Sequence, residues 1–139
     1  TAHQIATLMM DARLWRYREH VYYVRNFSAA SGDGVPTLVR LELDGGVMRT
    51  EPLVEGIQAM HVEYGLDTDG NGSPDAWSRC DTATPCTTAQ WATVTAIRAY
   101  VLSSNLETSP GYSDTKTYDM GLAGTLGPFN NAVFACTMP

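Results

Sequence analysis

The run from Met60 to Asp75 constrains this chain most. Met60, Val62, Tyr64 and Leu66 are apolar, while His61, Glu63 and Gly65 between them are polar or small, so the segment reads as a half-buried strand of period two. It passes straight into Asp67-Thr68-Asp69-Gly70-Asn71-Gly72-Ser73-Pro74-Asp75. Oxygen-bearing side chains at alternate positions around a glycine turn are the chemistry of a calcium loop, because a hard cation takes roughly six to eight oxygen ligands. Counted from Asp67, the side chains of Asp69 and Asn71, the carbonyl of Ser73 and the carboxylate of Asp75 fall at the spacing of an EF-hand, with Gly72 at the sharp turn. Ser78 stands where an EF-hand has its bidentate Glu, and no long amphipathic helices flank the run. The remaining ligand is then expected from Asp81 or from a carbonyl near Cys80. Ligand number favours calcium over magnesium. The same residues also make a solvated Asp/Asn/Gly turn, through left-handed backbone and local side-chain bonds.

Elsewhere the chain is mostly β with a few helical pieces. Ile5, Leu8, Met9, Ala12 and Trp15 recur at intervals of three and four, which predicts a short amphipathic helix. Val21 to Arg25 is β-branched and aromatic and predicts a strand stopped by Ser31-Gly32-Asp33-Gly34. Thr37 to Leu43 alternates up to Asp44-Gly45-Gly46, a hairpin signal that returns the chain through Val47 to Thr50. Pro52 opens Leu53 to Met60, whose apolar spacing fits one or two helical turns. Trp91 to Leu102 is the longest strand candidate, with one wet side, and is expected to pair with the strand before the acidic loop. From Ser103 to Pro128 turn-forming residues dominate, predicting loop with at most short strands.

The 139 residues suit a single domain, 1–139, with its own core, and 44% hydrophobic against 17% charged residues is a globular composition. A formal charge of -6 argues against nucleic acid, since Arg13, Arg16, Arg18 and Arg25 are too few for a basic stripe. The apolar runs are too short to span a bilayer or act as a signal peptide. Because the chain starts at Thr1 without an initiator Met, it is expected to be part of a longer protein. Cys80 and Cys86 are too far apart for a Cys-x-x-Cys pair and read best as a disulfide, hence an oxidising compartment; two unpaired small apolar residues are the alternative. Cys136 is left over. His3, His20 and His61 are scattered, with His61 expected on a wet strand face, and no nucleophile or phosphate-loop signature occurs. Trp15, Trp77 and Trp91 are expected in the core rather than on a sugar platform. An enzyme is not expected.

The block Leu53-Val54-Glu55-Gly56-Ile57-Gln58-Ala59-Met60-His61-Val62-Glu63-Tyr64-Gly65-Leu66 followed by Asp67 to Asp75 resembles the signature of PilW-type minor pilins of type IV pili. Tyr22 to Asn26, Val35 to Leu38, Trp91 to Arg98 and Tyr112 to Tyr118 are similar to further stretches of that family. The resemblance runs from about His20 onward. The prepilin leader, the hydrophobic helix and the arginine-rich C-terminal strand of the family are not in this chain, and Cys80 and Cys86 are not a family hallmark. The resemblance implies an α+β pilin-like fold, related to the type II secretion pseudopilin GspJ, with antiparallel sheet, short helices and an N-terminal transmembrane helix absent from this chain. It further implies a structural subunit that acts with other minor pilins, the major pilin and sometimes a tip adhesin. Its place would be the inner membrane and periplasm before assembly and the extracellular fimbrium after, with membrane contact only through the missing helix. The acidic loop would then be a structural calcium site. A calcium-dependent adhesin or carbohydrate-binding module is the alternative, and would need an open site beside an exposed Trp77.

Overall fold

The computed structural model describes residues 18–107 and 110–129. The helix expected from Ile5 to Trp15, with Arg13 and Arg16, lies outside the described residues, as do His3 and Cys136. Among the described residues the chain is predominantly antiparallel sheet with very little helix. Strands β1 (His20–Arg25), β2 (Thr37–Asp44) and β3 (Val47–Glu55) form one meander, paired from Val21↔Leu41 and Leu41↔Thr50 outward. The β2–β3 turn uses Gly45 and Gly46, both at positive φ (59° and 84°), as a tight hairpin following the strand twist requires.

The chain then departs from the helical turns expected over Leu53 to Met60. Strand β3 runs on through Pro52 to Glu55, and β4 (Ile57–Leu66) begins after a single residue. Pro52 is tolerated because β3 is an edge strand and the register slips nearby, between Leu38 and Val39. Gly56 makes the bend at φ 79°. Its N–H donates to the Pro36 carbonyl (2.7 Å) and its carbonyl accepts from Ser104 N–H (2.8 Å). A Cβ there would come within 2.7 Å of the Ser104 oxygen, so glycine is required twice over. The apolar spacing that mimicked a helix is that of two strands meeting at this corner.

Strand β4 is central to the second sheet, between β5 (Ala76–Ser78) and β6 (Val94–Ser103). It pairs with β6 from Ile57↔Ser103 to Leu66↔Val94, the partnership expected for the strand before the loop. The start of that late strand is different: Thr88–Ala92 is a short helix, α1, and Trp91 lies in it with its ring 4.8 Å from Tyr64. Thr87 and Gln90 form a reciprocal capping box that nucleates the turn.

A hairpin of β7 (Tyr118–Asp119), a 3-10 turn (Gly121–Ala123) and β8 (Thr125–Leu126) closes the described chain. This hairpin corrects one more expectation. His61 is not on a wet face: its side chain is 14% exposed, and Glu63 beside it is buried, because Gly121 and Leu122 lie against that side of β4. Val39, Ile57, Leu66, Met120 and Thr37 are among the other buried positions that fix the interior.

Two loops are tied locally. Cys80 and Cys86 are joined in a disulfide just after β5. Between β1 and β2, the carboxylate of Asp33 accepts the N–H groups of Val35 (3.0 Å), Ala30 (3.1 Å), Ser28 (3.1 Å) and Ala29 (2.8 Å). The Val35 N–H first, opposed by burial and helped by the other three amides, holds Asp33 down at about 2 instead of 3.8.

A depressed carboxylate stabilises the fold fully above its unfolded value and loses that contribution as pH falls through its folded value. Acid titration followed by thermal melting is therefore expected to show Asp33→Asn with a lower Tm at pH 7. Between pH 4 and pH 2 the variant's Tm should fall less steeply than the wild type's, by about one bound proton; equal slopes would refute the role of Asp33. Mass spectrometry of the unreduced protein should find Cys80 bridged to Cys86. Reduction should lower stability by only about 2 kcal/mol, since so short a loop restricts little unfolded-chain entropy.

Candidate metal centre

The acidic loop begins where β4 ends, and the sheet clamps both of its ends. Asp75 N–H donates to the Leu66 carbonyl (2.9 Å), and Asp67 N–H donates to the Thr93 carbonyl (2.9 Å) just before β6. Packing adds a floor. A Cβ on Gly65 would sit 2.7 Å from Pro74 Cβ, 3.1 Å from Trp77 Cη2 and 3.2 Å from Ala96 Cβ, so the absent side chain lets the loop's Pro74 and β5's Trp77 fold down onto the sheet. The Arg98 guanidinium covers the Trp77 ring at 3.6 Å, a cation–π contact that ties β6 to the far side of the loop.

Within this frame the carboxylates converge. Asp67, Asp69 and Asp75 each offer an oxygen within 4.8 Å of the others, Asp67 buried and the other two exposed. Asp67 Oδ2 accepts the Gly72 N–H (2.7 Å), and its Oδ1 accepts those of Gly70 (2.8 Å) and Asn71 (3.2 Å). Asp75 Oδ2 accepts from the Thr68 N–H (2.7 Å), the Thr68 hydroxyl (2.8 Å) and the Asp69 N–H (3.3 Å). Asp69 is bonded by Asn71 through Oδ1 (3.1 Å, backbone) and Oδ2 (2.9 Å, side chain), and Asn71 Oδ1 accepts Ser73 N–H (2.8 Å). Gly70 and Gly72 take positive φ, 78° and 88°, to wrap the amides inward.

These bonds decide the protonation state. The Gly72 N–H first, against burial and with the Gly70 and Asn71 amides, holds Asp67 below the usual carboxylate range. The Thr68 N–H first, then its hydroxyl, does the same for Asp75. Near neutral pH the loop therefore presents negative oxygen donors with no nitrogen or sulfur among them, a donor set suited to a hard cation. Asp67 Oδ1 and Asp75 Oδ2 are filled by two and three of these donors, while Asp67 Oδ2 and both Asp69 oxygens accept one each, which leaves lone-pair capacity for an ion there. The same local bonds are those of an ordinary Asp/Asn/Gly turn.

Of the residues singled out from the sequence, Asp67, Asp69 and Asp75 are brought together, with Asn71 and Ser73 bonded inside the same turn. Asp81 does not join the three. Its Oδ1 accepts the Thr84 N–H (2.8 Å), the Ala83 N–H (3.0 Å) and the Thr84 hydroxyl (3.0 Å), and its Oδ2 meets Arg79 at 2.7 Å, inside the disulfide loop. Thr68, Gly65 and the Thr93 carbonyl were missed as parts of the site. Only the glycine next to a bulky strand position gave a signal, as a mark of close backbone approach.

Residues 21–135 match the family described as Type IV Pilus-assembly protein W, PilW. No curated protein and no solved structure matches the chain. The match takes in every strand described above, from the second residue of β1 to β8, and includes the whole of the acidic loop. The chain belongs to the PilW family of type IV pilus-assembly proteins.

Proposed function

We propose that this chain is the globular part of a structural minor pilin, working through contacts with other minor pilins and the major pilin, and that its acidic loop is braced by calcium. Family membership carries the assembly role. The observation that carries the ion is the convergence of Asp67, Asp69 and Asp75 on a loop clamped to β4 and β6. Asn71 and the Ser73 carbonyl complete the protein's share, and water fills the coordination shell that Asp81 does not reach. An ion there neutralises the mutual repulsion of the carboxylates and stiffens the loop. In this reading the protein has an α+β pilin architecture, an N-terminal helix anchors it in the inner membrane before assembly, and the domain is displayed outside the cell afterwards. Sites of this openness in extracellular modules bind calcium with Kd of about 0.1–1 mM, adequate in such a setting. The adhesin alternative asks for an exposed Trp77 beside the loop; Trp77 is half-buried, with Arg98 over its ring.

Calcium at about ten times Kd is expected to stabilise the native state by about 1.4 kcal/mol, a Tm rise of roughly 4–6 °C for a chain of this size. Asp69→Ala should abolish the rise while leaving the melt in chelator nearly unchanged, because Asp69 is exposed. Identical wild-type melts in calcium and in chelator would remove the metal from the proposal. The assembly reading is tested separately, by co-elution of the purified domain with other minor pilin domains. Failure to bind any pilus subunit would remove that part.

A further inference from the structure

Asn71-Gly72 is the single Asn-Gly pair in the chain, and both residues are exposed in the acidic loop. An Asn side chain lies within reach of the backbone nitrogen that follows it, and closing that gap makes a succinimide ring with loss of ammonia. A reaction within one chain gains from proximity. Three things ordinarily hold it back: the weak electrophilicity of an amide, the proton on the attacking nitrogen, and the side chain of the next residue. The loop answers each of these. Asn71 Oδ1 accepts the Ser73 N–H (2.8 Å), so the negative charge that develops on this oxygen during attack meets a donor already in place. The Gly72 N–H donates to Asp67 Oδ2 (2.7 Å), so the proton that must leave points at a carboxylate within hydrogen-bond reach. Gly72 itself, at φ 88°, has no side chain, and open space lies where a Cβ would stand.

We propose that Asn71 is a self-modification site, at which the folded loop converts the side-chain amide through a succinimide to Asp or isoaspartate, with water as the co-reactant. The Gly72 nitrogen attacks Asn71 Cγ while its proton passes to Asp67 Oδ2. The N–Cγ bond forms and the Cγ–Nδ2 bond breaks. Nδ2, held until then by Asp69 Oδ2 (2.9 Å), leaves as ammonia with that proton returned through solvent. Water then opens the ring at either carbonyl, giving Asp, or isoaspartate when the main chain is re-routed through Cγ. Other residues show why the reaction belongs here. Asn105 Oδ1 also accepts the N–H two residues on, from Glu107 (3.3 Å), but Leu106 follows it with a full side chain. Asn26 is followed by Phe27. Asp69 precedes a glycine whose N–H likewise reaches Asp67 (2.8 Å), yet its carboxylate is a far weaker electrophile than an amide. Either product adds a negative charge beside Asp67, Asp69 and Asp75, and isoaspartate also lengthens the main chain by a methylene between the loop's clamped ends. Because ammonia is lost for good, the loop keeps a record of the age of the molecule.

Prolonged incubation of the purified chain in chelator at neutral pH, followed by peptide mapping with mass spectrometry, tests this with no ion involved. The expected result is replacement of the amide by a carboxyl at residue 71, together with an isoaspartate isomer, while Asn26 and Asn105 stay unchanged. Conversion should run at least as fast in the folded protein as in the same chain unfolded in urea, because the Ser73 and Asp67 contacts exist only in the fold. Asn71→Gln should abolish it, and Gly72→Ala and Asp67→Asn should slow it in the folded protein. An Asn71 that persists in the folded chain while the urea-unfolded chain converts would overturn the proposal, as would conversion of Asn105 at the same rate. If Asp67→Asn fails to fold, the wild-type comparison of folded with unfolded chain decides.

Discussion

The ladder between β4 and β6 is the interaction on which the other features depend. It runs from Ile57↔Ser103, 46 residues apart in the chain, to Leu66↔Val94, 28 apart. Each end and the middle carry a different device. At one end Gly56 hands the chain to the first sheet; at the other Leu66 and Thr93 supply the carbonyls that clamp the acidic loop; in the middle Glu63 holds the hairpin. Without the ladder none of these partners would meet.

The loop shows how amides and carboxylates share the work of gathering like charges. Three carboxylates within 4.8 Å repel one another, and each is compensated by N–H donors: Asp67 by the Gly70 and Gly72 amides, Asp75 by that of Thr68 and Asp69 by Asn71. The arrangement is anionic but not improvised, since the clamps and the Pro74–Gly65–Trp77 stack hold it in place. A cation placed there replaces repulsion with attraction and leaves the backbone as it is. In an overall acidic protein of formal charge -6, this convergence of carboxylates is what supports the proposed ion.

How much of this was legible in the sequence depended on how local the cause was. The β2–β3 hairpin followed from Asp44-Gly45-Gly46, and the loop from its alternating oxygens, because turn chemistry is written within a few residues. The corner at Gly56 was not legible. Leu53, Val54, Ile57 and Met60 have helix-like spacing, and only the distant Pro36 and Ser104 make the bend necessary. His61 and Glu63 misled in the same way: alternation identifies two faces of a strand but does not say that a later hairpin covers the polar one. The capping box at Thr87 and Gln90 was available in the sequence, yet the apolar run after it looked like more strand.

For the proposed ion, the backbone clamp on the acidic loop would have a consequence. The Leu66–Asp75 and Asp67–Thr93 bonds already bring the two ends of the loop together, so the entropy of closing it is spent when the sheet folds rather than when a ligand arrives. Binding of such an ion would then ask for side-chain reorientation and the shedding of water rather than for loop closure. A residue inserted between Asp67 and Asp75 would leave both clamps intact and still move Asp69 and Asn71 out of step with the two clamped carboxylates.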